Sequence, residues 1–549
     1  MDLMRKVVTN KVETLFFPKR IVKVCGGVTN PDNLLIEKEM ITTFNETRIT
    51  RFEKKKGERT FVVIDLGKEI HGSAKIAVTW ANRADVKFRL TFGESVSEAL
   101  SDIGYKNATN DHSPRDFEIL LSRLSVVEYA QTGYRFLKVE LLSDDCIIDV
   151  KGIAGVCKTE GFKKKGYIKT NDPLLNEIFD TAVYTCFINM QDGLIWDGIK
   201  RDRLVWAGDL NSEILTSSYM YGTTVNIKNS LQILKDTTPD SVWMNTIPTY
   251  SAWWILNLCD YYRLSGDEAY FAQNIGYINQ VMHDFNACIE ENGEMDFKKT
   301  GKPAGMDFYL DWPSYQTPDA VQGTAMLISY TMQKLLNVGY TGIDAACAKE
   351  LIRKLSTHVK APVSFKQVLA MQVLCGADKA KARLQLEKDG AAGFTTFMSY
   401  ALFTALFETG SDQVVKIIKD FYGGMLSRGA TTFWEDFDIS WLEGSGRIDE
   451  EPKENEKDIH GDYGNFCYEG LRHSLCHGWS CGVAAFMVEK MVGLEVLEPG
   501  FKRVRISPNL CGLKHLKAKI PTPYGAIYIE CDQAGTRVRL PEHIELVKD

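Results

Sequence analysis

The spacing of apolar residues changes twice along this chain, and those two changes limit what it can fold into. Up to about residue 160 short runs alternate between apolar and polar, as in Phe61-Val62-Val63-Ile64-Asp65-Leu66-Gly67, Lys75 to Trp80, Val86 to Phe92 and Tyr134 to Glu140, with Gly, Asn and Asp between them. Alternation interrupted by turn residues predicts an antiparallel β-sandwich. From about 170 to 490 the period becomes helical, predicting helices near 173–190, 210–234, 251–264, 268–289, 319–336, 343–357, 364–374, 394–407, 411–421 and 478–491. After Pro499-Gly500 strands return, in Val504-Arg505-Ile506 and Ala526-Ile527-Tyr528-Ile529, with a turn at Pro521 to Gly525. The expected organisation is a β-sandwich domain over 1–165, an all-α domain over 166–492 and a small β domain over 493–549. So many helices can pair into a toroid whose inner-helix loops form one open cleft.

Composition excludes several classes. At 549 residues, 44% hydrophobic and 25% charged, the chain reads as an ordinary globular protein. A net charge of -7 argues against nucleic acid as a partner, since nucleic-acid binders carry a basic face. The runs Lys54-Lys55-Lys56 and Lys163-Lys164-Lys165 read as solvated turns. No apolar run approaches the roughly 18 residues that span a bilayer, and Met1 to Lys6 lacks the apolar stretch of a secretory leader, so no membrane partner and a cytoplasmic location are expected. Thirteen cysteines without CxxC pairs fit reduced thiols. The intervals among Cys467, His473, Cys476 and Cys481 match no zinc spacing, and neither a metal nor a cofactor is implied. Homo-oligomerisation stays open.

Residues 196 to 209 read Trp196-Asp197-Gly198-Ile199-Lys200-Arg201-Asp202-Arg203-Leu204-Val205-Trp206-Ala207-Gly208-Asp209. Three carboxylates, three cations and two tryptophans in fourteen positions suit no ordinary helix or strand. The stretch lies between two helical runs, on a loop of the kind where binding residues concentrate. Carboxylates accept hydrogen bonds from sugar hydroxyls and indole rings cover sugar C–H faces, so a carbohydrate site is the reading these residues support. Gly429 to Phe437, containing Trp434-Glu435, and Ser474 to Ser480, containing His477-Gly478-Trp479, each set a polar group beside a tryptophan.

Asp-x-x-x-Arg-Asp-Arg-x-x-Trp-x-Gly-Asp, then Gly-Ala-Thr-Thr-x-Trp-Glu, then His-Gly-Trp-Ser resembles, in order and spacing, the bacterial α-L-rhamnosidases of glycoside hydrolase family 78. Asp65 to Gly72 is similar to that family's N-terminal sandwich, and Pro499 to Ile506 with Pro521 to Gly525 to its C-terminal β domain. The resemblance implies an (α/α)6 barrel and inverting hydrolysis of terminal α-L-rhamnose from small rhamnosides or oligosaccharides. It places the general acid at Asp202 and the general base at Glu435, with Asp197, Arg201, Trp206, Asp209, Trp312, Trp434 and His477 around the sugar. Inversion needs two carboxyl groups about 6.5 to 9.5 Å apart, one protonating the leaving oxygen and one activating water on the opposite face.

One departure stands out: described members carry Glu at the acid position, whereas Asp202 is one methylene shorter. Arg201 and Arg203 flank it, and nearby cations favour an ionised carboxyl, the wrong state for an acid. Arginines turned toward other carboxylates or backbone carbonyls would remove that conflict. Simpler readings compete at each position. Asp197, Asp202, Asp209 and the arginines could form a structural ion-pair network. Glu435 could satisfy a helix start, and Trp253-Trp254 with Tyr261-Tyr262 reads as helix core. The acidic run Asp449 to Asp458 reads as a solvated loop or, more sharply, a mobile rim over the site. Rival functions are another helical-barrel glycosidase or a phosphorylase, and a non-catalytic sugar-binding protein.

Overall fold

The computed structural model describes residues 11 to 547 except 44, 113 and 467; the opening hexapeptide Met1 to Lys6 and Cys467 therefore lie outside the described residues. The chain divides into two compact units. One comprises Met1–Gly161, Gly198–Arg203 and Met425–His477, the other Phe162–Asp197, Leu204–Gly424 and Gly478–Asp549.

In the first unit all strand pairing is antiparallel, in the order Gly27–Thr29, Thr50–Lys54, Cys146–Glu160, Thr60–Ala81, Ser125–Leu141, Val86–Gly93 and Asp116–Leu121. Lys11–Phe16 joins beside Cys146–Glu160, and Arg20–Cys25 beside Thr60–Ala81. The sequence predicted separate strands before Gly67 and after Gly72. Thr60–Ala81 instead runs through both glycines, shifting register between Asp65 and Ile70 and again between Gly72 and Ala74. Such bulges bend a strand without ending it. Gly72 is required there, because a Cβ would lie 1.8 Å from the Val156 carbonyl oxygen. Phe61, Val63, Val96, Ala99 and Phe136 form one apolar cluster of the unit. Met425–His477 is mostly irregular and is pinned to the sheet: Arg135 grips both Asp65 oxygens at 2.8 and 2.9 Å and donates to the Gly429 carbonyl at 2.8 Å.

The second unit opens on the strand Tyr167–Thr170 and the helix Pro173–Asn189. Pro173 occupies the first turn, and the Asp172 carboxylate accepts from Leu175 N–H, so the start is fixed by two independent devices. Fully buried helices then alternate with one-sided ones. Every residue of Leu210–Tyr221 is buried, as is nearly all of Pro248–Ser265, including Trp253, Trp254, Tyr261 and Tyr262, which makes these aromatics core. Val225–Asp236, Ile275–Cys288 and Ala345–Leu355 bury a single face. The unit closes on β structure, with Tyr167–Thr170 pairing His515–Thr522, which continues to Gly525–Asp532 and Gly535–Arg539. Among the described residues no helix is long and apolar enough to cross a membrane, and the twelve described cysteines are free.

Candidate functional site

The hexapeptide Gly198–Arg203 packs with the first unit although the residues on either side pack with the second. Its shape is set locally. Asp202 and Arg203 both have left-handed backbones, φ 60° and 56°, an uncommon conformation for non-glycine residues and one associated with functional strain. Where the chain re-enters the second unit, Asp197 N–H donates to the Leu204 carbonyl and Leu204 N–H returns a bond to the Asp197 carboxylate, each at 3.0 Å, closing the loop at its neck.

Within the first unit Arg201 is the hub. One terminal nitrogen bonds the Asp202 carboxylate, and the other contacts both Glu435 oxygens, at 2.5 and 2.6 Å. Its Nε donates to the Arg472 carbonyl at 3.0 Å, which fixes the plane of the guanidinium. A single fork therefore holds carboxylates that lie more than two hundred positions apart in the chain, the bidentate geometry to which arginine is suited. Arg203 turns away, toward the Ile199 and Gln131 carbonyl oxygens. Of the two flanking cations, one thus goes to backbone and the other does pair with Asp202.

Glu435 is 4% exposed. Its N–H donates to the Ser474 carbonyl at 3.0 Å while Ser474 N–H donates to its carboxylate at 3.1 Å, so the segments around 435 and 474 clamp each other. His477 Nε2 lies 3.7 Å from Glu435 Oε1. Burial, and then the charge on Arg201, hold His477 well below the ordinary imidazole range, so the ring facing Glu435 is neutral. His473 is held low as well, chiefly by burial, and its Nε2 accepts from Asp436 N–H at 2.8 Å, which places its proton on Nδ1. Trp434 was expected to contact sugar, but it is 1% exposed and packs edge-on against Phe437. Its ring is enclosed and offers no exposed face to a sugar.

Sequence reasoning missed what lies beneath this pair. Lys200, next to Arg201, buries its ammonium 3.3 Å from Glu94 and 3.0 Å from Glu98, and donates to the Leu471 and His473 carbonyls at 2.8 and 2.6 Å. Glu94 in turn accepts from Leu475 N–H at 2.6 Å and Ser474 Oγ at 3.3 Å. Burial pushes Glu94 up to about 7, opposed by Lys200, and pushes Glu69 well above the carboxylate range. The acidic run read as a solvated loop or a mobile rim is anchored at its start, where Asp449 pairs with Arg447 at 2.8 Å and Arg135 at 3.6 Å and Glu451 with Lys23 at 2.7 Å, while most of 450–457 is exposed.

Asp197, Trp206, Asp209 and Trp312 belong to the second unit. Trp206 and Trp312 stand at the two ends of an aromatic chain: Trp206 to Tyr250 at 6.0 Å, Tyr250 to Tyr309 at 6.0 Å, and Tyr309 to Trp312 at 5.4 Å. Both tryptophans are half-buried and keep exposed ring surface. Asp311, held up to about 6 by burial, accepts from Thr395 Oγ1 at 2.6 Å and from Trp312 N–H at 2.8 Å, which seats that ring. Glu213 follows Asp209 by four residues, one helical turn on the same face. Burial, with the Asp209 and Asp197 carboxyl groups nearby, pushes its carboxyl well above the usual range. That spacing was a signal available in the sequence.

Residues 163–335 match the bacterial alpha-L-rhamnosidase six-hairpin glycosidase domain, and residues 493–544 match the bacterial alpha-L-rhamnosidase C-terminal domain. An alpha-L-rhamnosidase of Alteromonas sp. (strain LOR) is 24% identical over 92% of this chain, and the chain spans 57% of that relative's length. Among solved structures, the family 78 rhamnosidase of Bacillus sp. GL1 superposes with a TM-score of 0.73 at 19% identity, over 94% of this chain and 55% of that one. A Klebsiella oxytoca rhamnosidase with rhamnose bound gives 0.66 at 19% identity, over 88% of this chain and 96% of that one. The resemblance to bacterial α-L-rhamnosidases read from the three motifs extends to the fold.

Proposed function

We propose that this chain, built on the domains of the bacterial α-L-rhamnosidases, is an inverting glycoside hydrolase that releases terminal α-L-rhamnose from small rhamnosides inside the cell. In this reading Glu435 is the general base and Asp202 the general acid. The observation that carries it is the Arg201 fork: two acids from distant segments meet on one guanidinium. Glu435 has what a base requires. It is buried, gripped by its arginine partner, clamped through its own backbone, and faced by a neutral histidine. Substrate must displace part of the Arg201 grip so that water can enter between the carboxyl groups, and the guanidinium is then placed to stabilise charge on whichever carboxylate it keeps.

Asp197, Asp209, Trp206, Trp312 and His477 take the sugar-contacting roles that the resemblance assigns. Half-buried Trp206 and Trp312, braced by tyrosines, suit ring-face contact, and burial disfavours a charge on Glu213 near Asp209 and Asp197. The alternation of fully buried and one-sided helices supports an (α/α)6 barrel.

A second reading, sugar binding without turnover, is favoured by one observation: both Asp202 oxygens are engaged by donors, Arg201 and His112. Glu435→Gln and Asp202→Asn decide between them. Glu435→Gln is expected to abolish hydrolysis of any α-L-rhamnoside, and Asp202→Asn that of rhamnosides whose leaving group must be protonated, each leaving the thermal unfolding profile in place. Full activity in Glu435→Gln would show that the base lies elsewhere, and wild-type protein that binds rhamnosides without cleaving any would establish the second reading.

A further inference from the structure

No motif draws attention to His112, ninety positions before Asp202 on a loop of the sheet unit, yet the fold closes a ring of contacts around it. His112 Nδ1 meets Asp202 Oδ1, and its Nε2 lies 3.2 Å from Asp111 Oδ1. The other Asp111 oxygen accepts from Arg472 at 2.7 Å, the Arg472 carbonyl accepts from Arg201 Nε at 3.0 Å, and Arg201 returns to Asp202. His112, at φ 66°, is held in the same unusual backbone region as Asp202. The charged groups facing it are Asp111 and Asp202, with Arg201 and Arg472 behind them.

On the reading that this chain hydrolyses rhamnosides with Asp202 as the acid, we infer that His112 is the positioning residue of that acid and the store of the proton it delivers. A carboxylate with one oxygen on a guanidinium and the other on an imidazole is an acceptor at both ends and holds no proton of its own to give. The imidazole of His112 has a carboxylate oxygen facing each of its nitrogens, and an imidazole donates from both only when both carry a proton. In the step, the glycosidic C–O bond breaks with its electron pair left on the departing oxygen. That oxygen takes one proton through Asp202, which is replenished by the Nδ1 proton of His112. Asp202 ends as the carboxylate it began as, and His112 ends neutral. The proton lost by the attacking water goes to Glu435 and then to solvent, and His112 recovers one from solvent at its exposed edge, its side chain being 38% accessible. His112 thus extends the proton source behind a short side chain.

The test is leaving-group dependence in His112→Gln, which keeps a hydrogen-bonding group on an exposed loop and removes the titratable proton. Dinitrophenol leaves without help, whereas methanol must be protonated as it departs. Turnover of methyl α-L-rhamnoside is expected to fall on the order of 100-fold, while dinitrophenyl α-L-rhamnoside is hydrolysed within a few-fold of wild type. Asp202→Asn is expected to show the same selectivity, and the double variant no further loss. Equal losses on both substrates would mean a structural role and overturn the inference, as would no loss on either. Selectivity in Asp202→Asn but not in His112→Gln would overturn it while leaving Asp202 as the acid. Wild-type protein inert toward both substrates would strike down the hydrolase reading itself, and the His112 assignment with it.

Discussion

Lys200→Met tests the buried platform under the Arg201 fork. The ammonium is 8% exposed and sits between two carboxyl groups that are 0% and 1% exposed, with two backbone carbonyls completing its shell. Removing the cation leaves buried acceptors unpaired, and breaking a buried ion pair by deleting one partner costs about 3–5 kcal/mol. That cost depends on pH with a definite sign. Burial already raises Glu94 from 4.5 to about 7 in the folded protein, so between those values the folded state binds more protons than the unfolded chain. Stability contributed by this group is fully present below about 4.5 and is lost as pH rises through about 7. Lys200 opposes the rise, so its removal lifts the folded value further and steepens the decline. Urea unfolding of wild type and variant at about pH 5.5 and about pH 8 reads this directly: the variant is expected to lose the full amount at the higher pH and distinctly less at the lower. Equal destabilisation at both, or none, would refute the account of Glu94, Glu98 and Lys200 as a charge-balanced buried cluster.

Arg201→Lys replaces a fork by a point charge that cannot hold Asp202 and Glu435 together; kcat/KM on an aryl α-L-rhamnoside is expected to drop on the order of 100-fold with little change in unfolding midpoint. Gly478→Ala would set a Cβ 1.6 Å from Glu213 Oε1 on the fully buried helix Leu210–Tyr221, and expression of soluble protein or its thermal midpoint is expected to collapse. Glu213→Gln, by contrast, keeps the shape and removes a charge that burial disfavours, and is expected to leave stability at about pH 7 within about 1 kcal/mol.

Much of this architecture was legible because apolar period is a local signal. Pro173–Asn189, Asp319–Val338 and Lys366–Leu374 follow their expected spans to within two residues. The errors have physical causes. Residues 210–234 read as one helix but break at Gly222, whose φ of 85° no helix accommodates, and 268–289 divides at Asn274. The helix Lys379–Glu387 went unread because it buries only Ala382 and Leu386 and so carries almost no amphipathic stripe. Residues 478–491 read as one helix, but the regular α-helical part is only Gly482–Phe486.

The site divides along the same line. Asp202 and Glu435 could be paired from motifs because each sits in a dense local cluster of unusual residues. Lys200 against Glu94, or His112 against Asp202, could not. Glu94 and His112 have no distinctive neighbourhood in sequence, and these pairings exist only once the sheet and its loops are folded. Trp434 shows the converse: a residue with the right neighbours in sequence whose side chain the fold walls in.

The central claim is that Glu435 directs water to the face of the sugar opposite the bond that Asp202 helps to break. Proton NMR of the first sugar released from an aryl α-L-rhamnoside tests it most directly. β-L-Rhamnose appearing before mutarotation, and absent with Glu435→Gln, is the expected result; α-L-rhamnose as the first product would contradict it.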